Sequence, residues 1–135
     1  HHRQQLPELI RLAAKVERVH GDKAECPHGL TQLLTEILDD LENHMLKEEE
    51  VLFPMIVHGR LAQAQMPIYV MENEHIEHGQ RLERLLALTN QGVPPKGACN
   101  TWQALYLGVR SFSQEVVEHI HLENNVLFAR CLKGA

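Results

Sequence analysis

Apolar residues recur at steps of three and four along almost the whole chain, and that periodicity decides the fold class. Such steps put apolar side chains on one face of an α-helix, whereas a strand needs a step of two. Four long segments carry the pattern. Helix A runs from the start to about Val19; Gly21-Asp22-Lys23 breaks it and Cys26-Pro27-His28-Gly29 completes the loop. Helix B runs from about Leu30 to Val57, with Pro54 near its end and His58-Gly59-Arg60 stopping it. Leu61 to Gln65 reads as a short connection, with a turn of helix there as the alternative. Helix C runs from about Met66, with Pro67 in its first turn, to Thr89. Asn90 to Gly97 is the clearest loop, and helix D runs from about Ala98 to Arg130. Short connections make successive helices antiparallel neighbours. The expected fold is all-α, an up-down-up-down antiparallel four-helix bundle.

Composition narrows the function classes. A length of 135 residues with 44% hydrophobic content suits one domain, expected over residues 1–135. Aromatics at 4% and few runs of Val, Ile and Thr count against a sheet. A net charge of −5 without a dense Lys/Arg block makes nucleic acid or an anionic membrane a poor default partner. No apolar run approaches the ~20 residues of a membrane span, and no signal segment opens the chain. Three cysteines, Cys26, Cys99 and Cys131, are widely spaced and form no C-x-x-C. They argue against a disulfide framework or zinc ribbon and for a reducing cytoplasm. No base stands beside Cys26 or Cys131 in the sequence, so inert thiols are expected there. The chain opens on His1-His2 within a helical pattern, which reads as the C-terminal part of a longer protein or as the end of a tag.

The abnormal count is ten histidines, and their phase is informative. The inward stripe of helix B reads Leu30, Leu34, Ile37, Leu41, His44, Glu48, Val51, Met55. That of helix D reads Leu105, Val109, Phe112, Val116, His119, Glu123, Val126. In both, a His and a Glu four apart replace two consecutive apolar residues. Helix C gives Ile68, Met71, His75, His78, Leu82 and Leu85; helix A gives His2, Leu6, Leu9, Ala13, Val16 and His20. His44 lies ~21 Å along helix B at 1.5 Å per residue, and counting through the loops brings His75 and His119 to a similar depth. His44, Glu48, His75, His119 and Glu123 are therefore expected to converge, with His1 or His2 at their level and His20 at the far end.

Burying such a set is unfavourable unless cations pair it. Two divalent ions offset Glu48 and Glu123, and nitrogen and oxygen donors without thiolate suit iron or manganese, with zinc as an alternative. Two His-x-x-x-Glu pairs in phase with the seam favour metal over an accidental polar core; a single pair would not, since such pairs decorate many helix surfaces. His78 reads as a neutral core histidine rather than a ligand. His20, His28 and His58 fall at helix ends or loops, where His is a common dipole partner. His121 faces away from His119, and Glu49 and Glu50 form a solvated face.

The order of His near the start of helix A, His-x-x-x-Glu on B, His on C and His-x-x-x-Glu on D resembles the hemerythrin-like di-iron domain. The segments LPELIRLAAKVERVH (6–20), HMLKEEEVLFPMI (44–56), VMENEH (70–75) and HIHLENNVLF (119–128) resemble the RIC (repair of iron centres) family of iron–sulfur cluster repair proteins. The resemblance covers essentially the whole chain. It implies a centre of two iron ions, oxo- or hydroxo-bridged, with His44, Glu48, His75, His119 and Glu123 as metal ligands. The family's helix A ligand falls just before His1; His2, about one turn on, is the candidate to stand in for it. His78 stands where a small residue is expected. The resemblance further implies a cytoplasmic stress protein that restores iron–sulfur clusters damaged by nitric oxide or oxidants. Its partners would be damaged iron–sulfur proteins and the small ligands NO or O2, with a homodimer as one assembly. The same ligands also suit an O2/NO carrier or sensor without turnover, or a nitric oxide reductase-type enzyme.

Overall fold

A computed structural model of the chain describes residues 2–128, apart from the side chains at positions 2–4, 61, 126 and 127. The helices are α1 (His2–His20), α2 (Leu30–Lys47), α3 (Phe53–Val57), α4 (Leu61–Leu88) and α5 (Asn100–Leu122). A π-helical turn, Glu48–Leu52, joins α2 to α3 as one arm, and a second, Glu123–Phe128, extends α5. The described residues thus form four helical arms, as the periodicity predicts. Around the bundle α1 packs on α2 and α5, and α4 packs on α2 and α5. Cross-arm pairs show that neighbours run antiparallel. Arg81 pairs with Asp40 at 2.9 Å while His44 pairs with Glu74 at 3.0 Å, so α4 descends as α2 rises. His20 stacks on Trp102 while Leu9 lies against Gly108, which sets the opposite directions of α1 and α5.

The predicted seams form the core. Leu6, Leu9, Ala13 and Val16 of α1 are buried with Leu30, Leu34, Ile37 and Leu41 of α2, Leu82 and Leu85 of α4, and Leu105, Val109, Phe112 and Val116 of α5. Each buried Leu, Val or Phe side chain contributes ~1.5–3 kcal/mol. The entry to α2 is tied down by a neighbour. Its cap residue Gly29 (φ 88°) has no side chain to serve the free N–H groups, and Glu17 of α1 supplies the acceptor. Its carboxylate accepts from Gly29 N (2.6 Å), Leu30 N (3.0 Å) and Thr31 Oγ1 (2.5 Å).

Three expectations are corrected. First, helix C begins at Leu61 rather than Met66, leaving Pro67 inside α4. The lost bond at Pro67 is tolerated because Ala64, in the preceding turn, is fully buried with Ile68 and Met71 in a second small core completed by Leu52 and Phe128. Second, helices B and D are not uniform α-helices, since each widens into a π turn at its glutamate. In the first turn Phe53 N–H reaches back five residues to Glu48 O, and Pro54 cannot donate to Glu50 O, which loosens the ladder there. No such residue marks the second turn in the sequence. Third, the widened turn shifts the phase: Val51, expected inside, is 45% exposed, while Leu52 is 1% exposed. Of the described residues, no helix is long and apolar enough to cross a membrane.

Candidate metal centre

The end of α2 and its π turn, the middle of α4, and the end of α5 with its π turn meet at one level of the bundle. His44, Glu48, His75 and Glu123 are all buried there and each offers one ligand atom; these four atoms lie within 4.8 Å of one another. The register follows from the seam: His44 and His75 come one turn after Leu41 and Met71, and Glu48 and Glu123 come one turn after His44 and His119. The two carboxylates open the two π turns, a setting often found at functional sites.

The orientation of each imidazole is fixed from outside. Nδ1 of His44 donates to Glu74 Oε1 (3.0 Å), and Glu74 is itself held by Lys47 Nζ (2.7 Å). Nδ1 of His75 donates to Asn124 Oδ1 (2.8 Å). With both Nδ1 atoms donating, a neutral ring presents a lone pair at Nε2, and the two Nε2 atoms face each other at 3.1 Å. Two lone pairs in such contact repel unless a proton or a metal ion lies between them.

The carboxylates give the same answer. Oε1 of Glu123 lies 2.8 Å from His75 Nε2 and 3.7 Å from His44 Nε2, and Oε1 of Glu48 is in close contact with His44 Nε2. Yet both oxygens are buried without a donor aligned for a hydrogen bond. Closeness without alignment is what donors show when they aim at a shared point rather than at one another. Glu74 and Asn124 stand where metal-ligating histidines usually carry an outer hydrogen-bond partner. The set of two nitrogens and two oxygens, with no thiolate, fits a divalent first-row metal on chemistry alone.

Protonation in the metal-free state reflects the same crowding. Burial alone would lower His44, but Glu123, Glu48 and Glu74 outweigh it and hold the imidazole up at about 10. Burial pushes Glu48 up, reinforced by Glu123 against the opposing His44. Glu123 is also pushed up by burial, but His119, His44 and His75 override this and hold it far below the usual carboxylate range. Protons therefore occupy the space that a cation would take, and metal binding must displace them.

The remaining predicted residues fall at different distances. His119 is on the rim: its side chain is 43% exposed, with Nε2 3.2 Å from Glu123 Oε2, which raises its basicity. The side chain of His2 lies outside the described residues. His78 is buried with its ring edge-on to His44 at 5.1 Å; burial, then the charges of His44 and His75, lower it to about 4, so it is a neutral core ring. His20 is at the opposite pole, as its position on α1 requires, and His121 is exposed beside Asn125. Cys26 is buried, its thiol pushed up by burial and by Glu17 and Asp22; Cys131 lies outside the described residues. Sequence reasoning missed Glu74 and Asn124. Their one signal is adjacency to the ligand candidates His75 and Glu123 in the chain.

The chain is similar to the iron-sulfur cluster repair protein YtfE of Pectobacterium atrosepticum, with 59% identity over 133 residues, which is 98% of this chain and 60% of the relative. The proteins of the same name from Musicola paradisiaca and Yersinia pseudotuberculosis are 60% and 57% identical over the same shares of each chain. The chain thus spans about 60% of the length of the curated relatives it matches. Residues 1–131 match the hemerythrin HHE cation binding domain, and the chain belongs to that family.

Proposed function

We propose that this chain is the di-iron domain of a cytoplasmic protein that repairs iron–sulfur clusters damaged by nitric oxide or oxidants. His44, Glu48, His75, His119 and Glu123 hold two irons, with a nitrogen ligand from α1 completing the set and His2 the candidate for it. The observation that carries this reading is the facing pair of Nε2 atoms with one carboxylate oxygen of Glu48 and one of Glu123 crowded against them, all buried. The names of the relatives support cluster repair as the task.

When bound, the irons supply labile ferrous ion and a centre for binding small diatomic ligands. The chain's own residues determine how they are kept. Glu74 and Asn124 hold the two buried rings in the tautomer that turns Nε2 inward. Leu41 and Val116 line the same small cavity as His44 and His75, and Phe128 stacks on His75, so apolar side chains keep bulk water from these donors. Nitrogen and oxygen ligands hold iron less firmly than thiolates would, and His119 gives the site one solvent-facing edge. A centre closed on most sides and open at one weak ligand suits donation of iron.

The test is recovery of a cluster-depleted dehydratase incubated anaerobically with the iron-loaded protein. Wild type restores activity and the folded Glu48→Leu variant does not. Equal recovery with the variant refutes the assignment. Reversible NO or O2 binding with no effect on recovery identifies a carrier or sensor instead.

A further inference from the structure

A second pair of reactive side chains sits at the other pole of the bundle. Cys99 caps the start of α5 in extended backbone conformation (φ −71°, ψ 169°) and is exposed. Its Sγ lies 3.2 Å from Nε2 of His20, the last residue of α1. The His20 ring is held flat against buried Trp102, with centroids 5.1 Å apart and planes at 27°. A nucleophile within reach of a base, with that base oriented by a third group, is the diagnostic arrangement for an activated thiol. The pair lines a shallow pocket with Lys15, Val16, Val19 and Thr101, and no carboxylate lines it. Twenty residues separate Cys99 from His119, or ~30 Å along α5, so this pocket is independent of the metal centre.

We propose that Cys99 and His20 form a thiol-exchange site for small disulfides that carry carboxylates. The Cys99 thiol donates its proton to His20 Nε2. The thiolate attacks one sulfur of the disulfide, forming a protein–ligand S–S bond as the ligand's own S–S bond breaks. The departing thiolate carries away the electron pair and takes the proton from His20. Cys99 is thereby oxidised and the departing sulfur reduced, with no other reactant. Lys15 attracts the carboxylates. Cys26 is an internal control, since its thiol is buried and raised by burial, Glu17 and Asp22.

The test uses the iron-loaded protein with Cys131→Ser, exposed to oxidised glutathione or neutral 2-hydroxyethyl disulfide, with sites mapped by mass spectrometry. Cys99 is expected to be modified and Cys26 spared. His20→Phe, which keeps the stack on Trp102, should slow Cys99 at least about threefold, the order of effect set by thiolate supply. Lys15→Glu, on the exposed face, should remove the preference for oxidised glutathione over the neutral disulfide. Iron content should be unchanged in both variants. Modification of Cys26 as fast as Cys99, or an unaltered rate in His20→Phe, overturns the proposal.

Discussion

Replacing Asn124 with leucine removes no metal donor, yet it should weaken metal binding. Asn124 Oδ1 accepts from Nδ1 of His75 at 2.8 Å, and His75 is only 3% exposed. Without that acceptor the buried Nδ1–H is unsatisfied, at a cost of about 1–3 kcal/mol. The ring can escape by moving its proton to Nε2, where Glu123 Oε1 waits at 2.8 Å. That tautomer blocks the donor atom and must be reversed before a metal binds. Loss of such an outer partner typically weakens metal affinity ~10–100-fold, or ~1.4–2.8 kcal/mol. The assay is anaerobic ferrous titration against a competing chromogenic chelator, with wild type, Asn124→Leu and Asn124→Asp in parallel. The aspartate keeps an acceptor in place and should bind within about threefold of wild type or tighter. Wild-type affinity in the leucine variant, or an aspartate variant as weak as the leucine one, refutes the reasoning.

Other consequences follow from particular contacts. Glu17→Ala strips three hydrogen bonds from the first turn of α2 and should lower stability by ~1–2 kcal/mol, read as a lower urea midpoint at unchanged slope. An unmoved midpoint contradicts the capping role. His78 stays neutral in the fold down to about 4 but takes a proton near 6.5 once unfolded. Its contribution is therefore present above pH 6.5 and lost as pH falls through about 4, an effect of ~3 kcal/mol. His78→Leu should flatten the stability profile across that window, and an unchanged slope counts against a buried neutral ring. At Gly92 (φ 74°) a Cβ would meet Arg110 Cγ at 2.2 Å, so Gly92→Ala should cost ~1–3 kcal/mol by thermal unfolding. A variant as stable as wild type would show that the turn relaxes freely.

The bundle and its polar level were legible because both are properties of local spacing. A step of three and four fixes a helix face, and His44, Glu48, His75 and Glu123 interrupt it at one buried level, whereas His119, expected inside with them, lies on the rim with its side chain 43% exposed. The residues that tune the site were not legible. Glu74 touches His44 across thirty positions of sequence, and Asn124 touches His75 across forty-nine. Both stand next to a seam residue, about 100° off its face by helical phase, where a sequence reading expects solvent. The π turns were hidden for a related reason. Pro54 loosens the ladder at the first turn without fixing where the extra residue falls, and nothing in the sequence marks the second; the first turn moves Val51 out and Leu52 in. Pro67 misled in the other direction, because a proline signals a helix start unless packing, here around Ala64, carries the helix past it.

If the buried nitrogen and oxygen donors hold two irons, the metal content of each chain must show them. Protein produced in iron-replete medium, purified without chelators and measured by inductively coupled plasma mass spectrometry should contain about two irons per chain, and Glu48→Leu clearly fewer. Zinc in place of iron, or no metal above background in a folded wild-type chain, would contradict it.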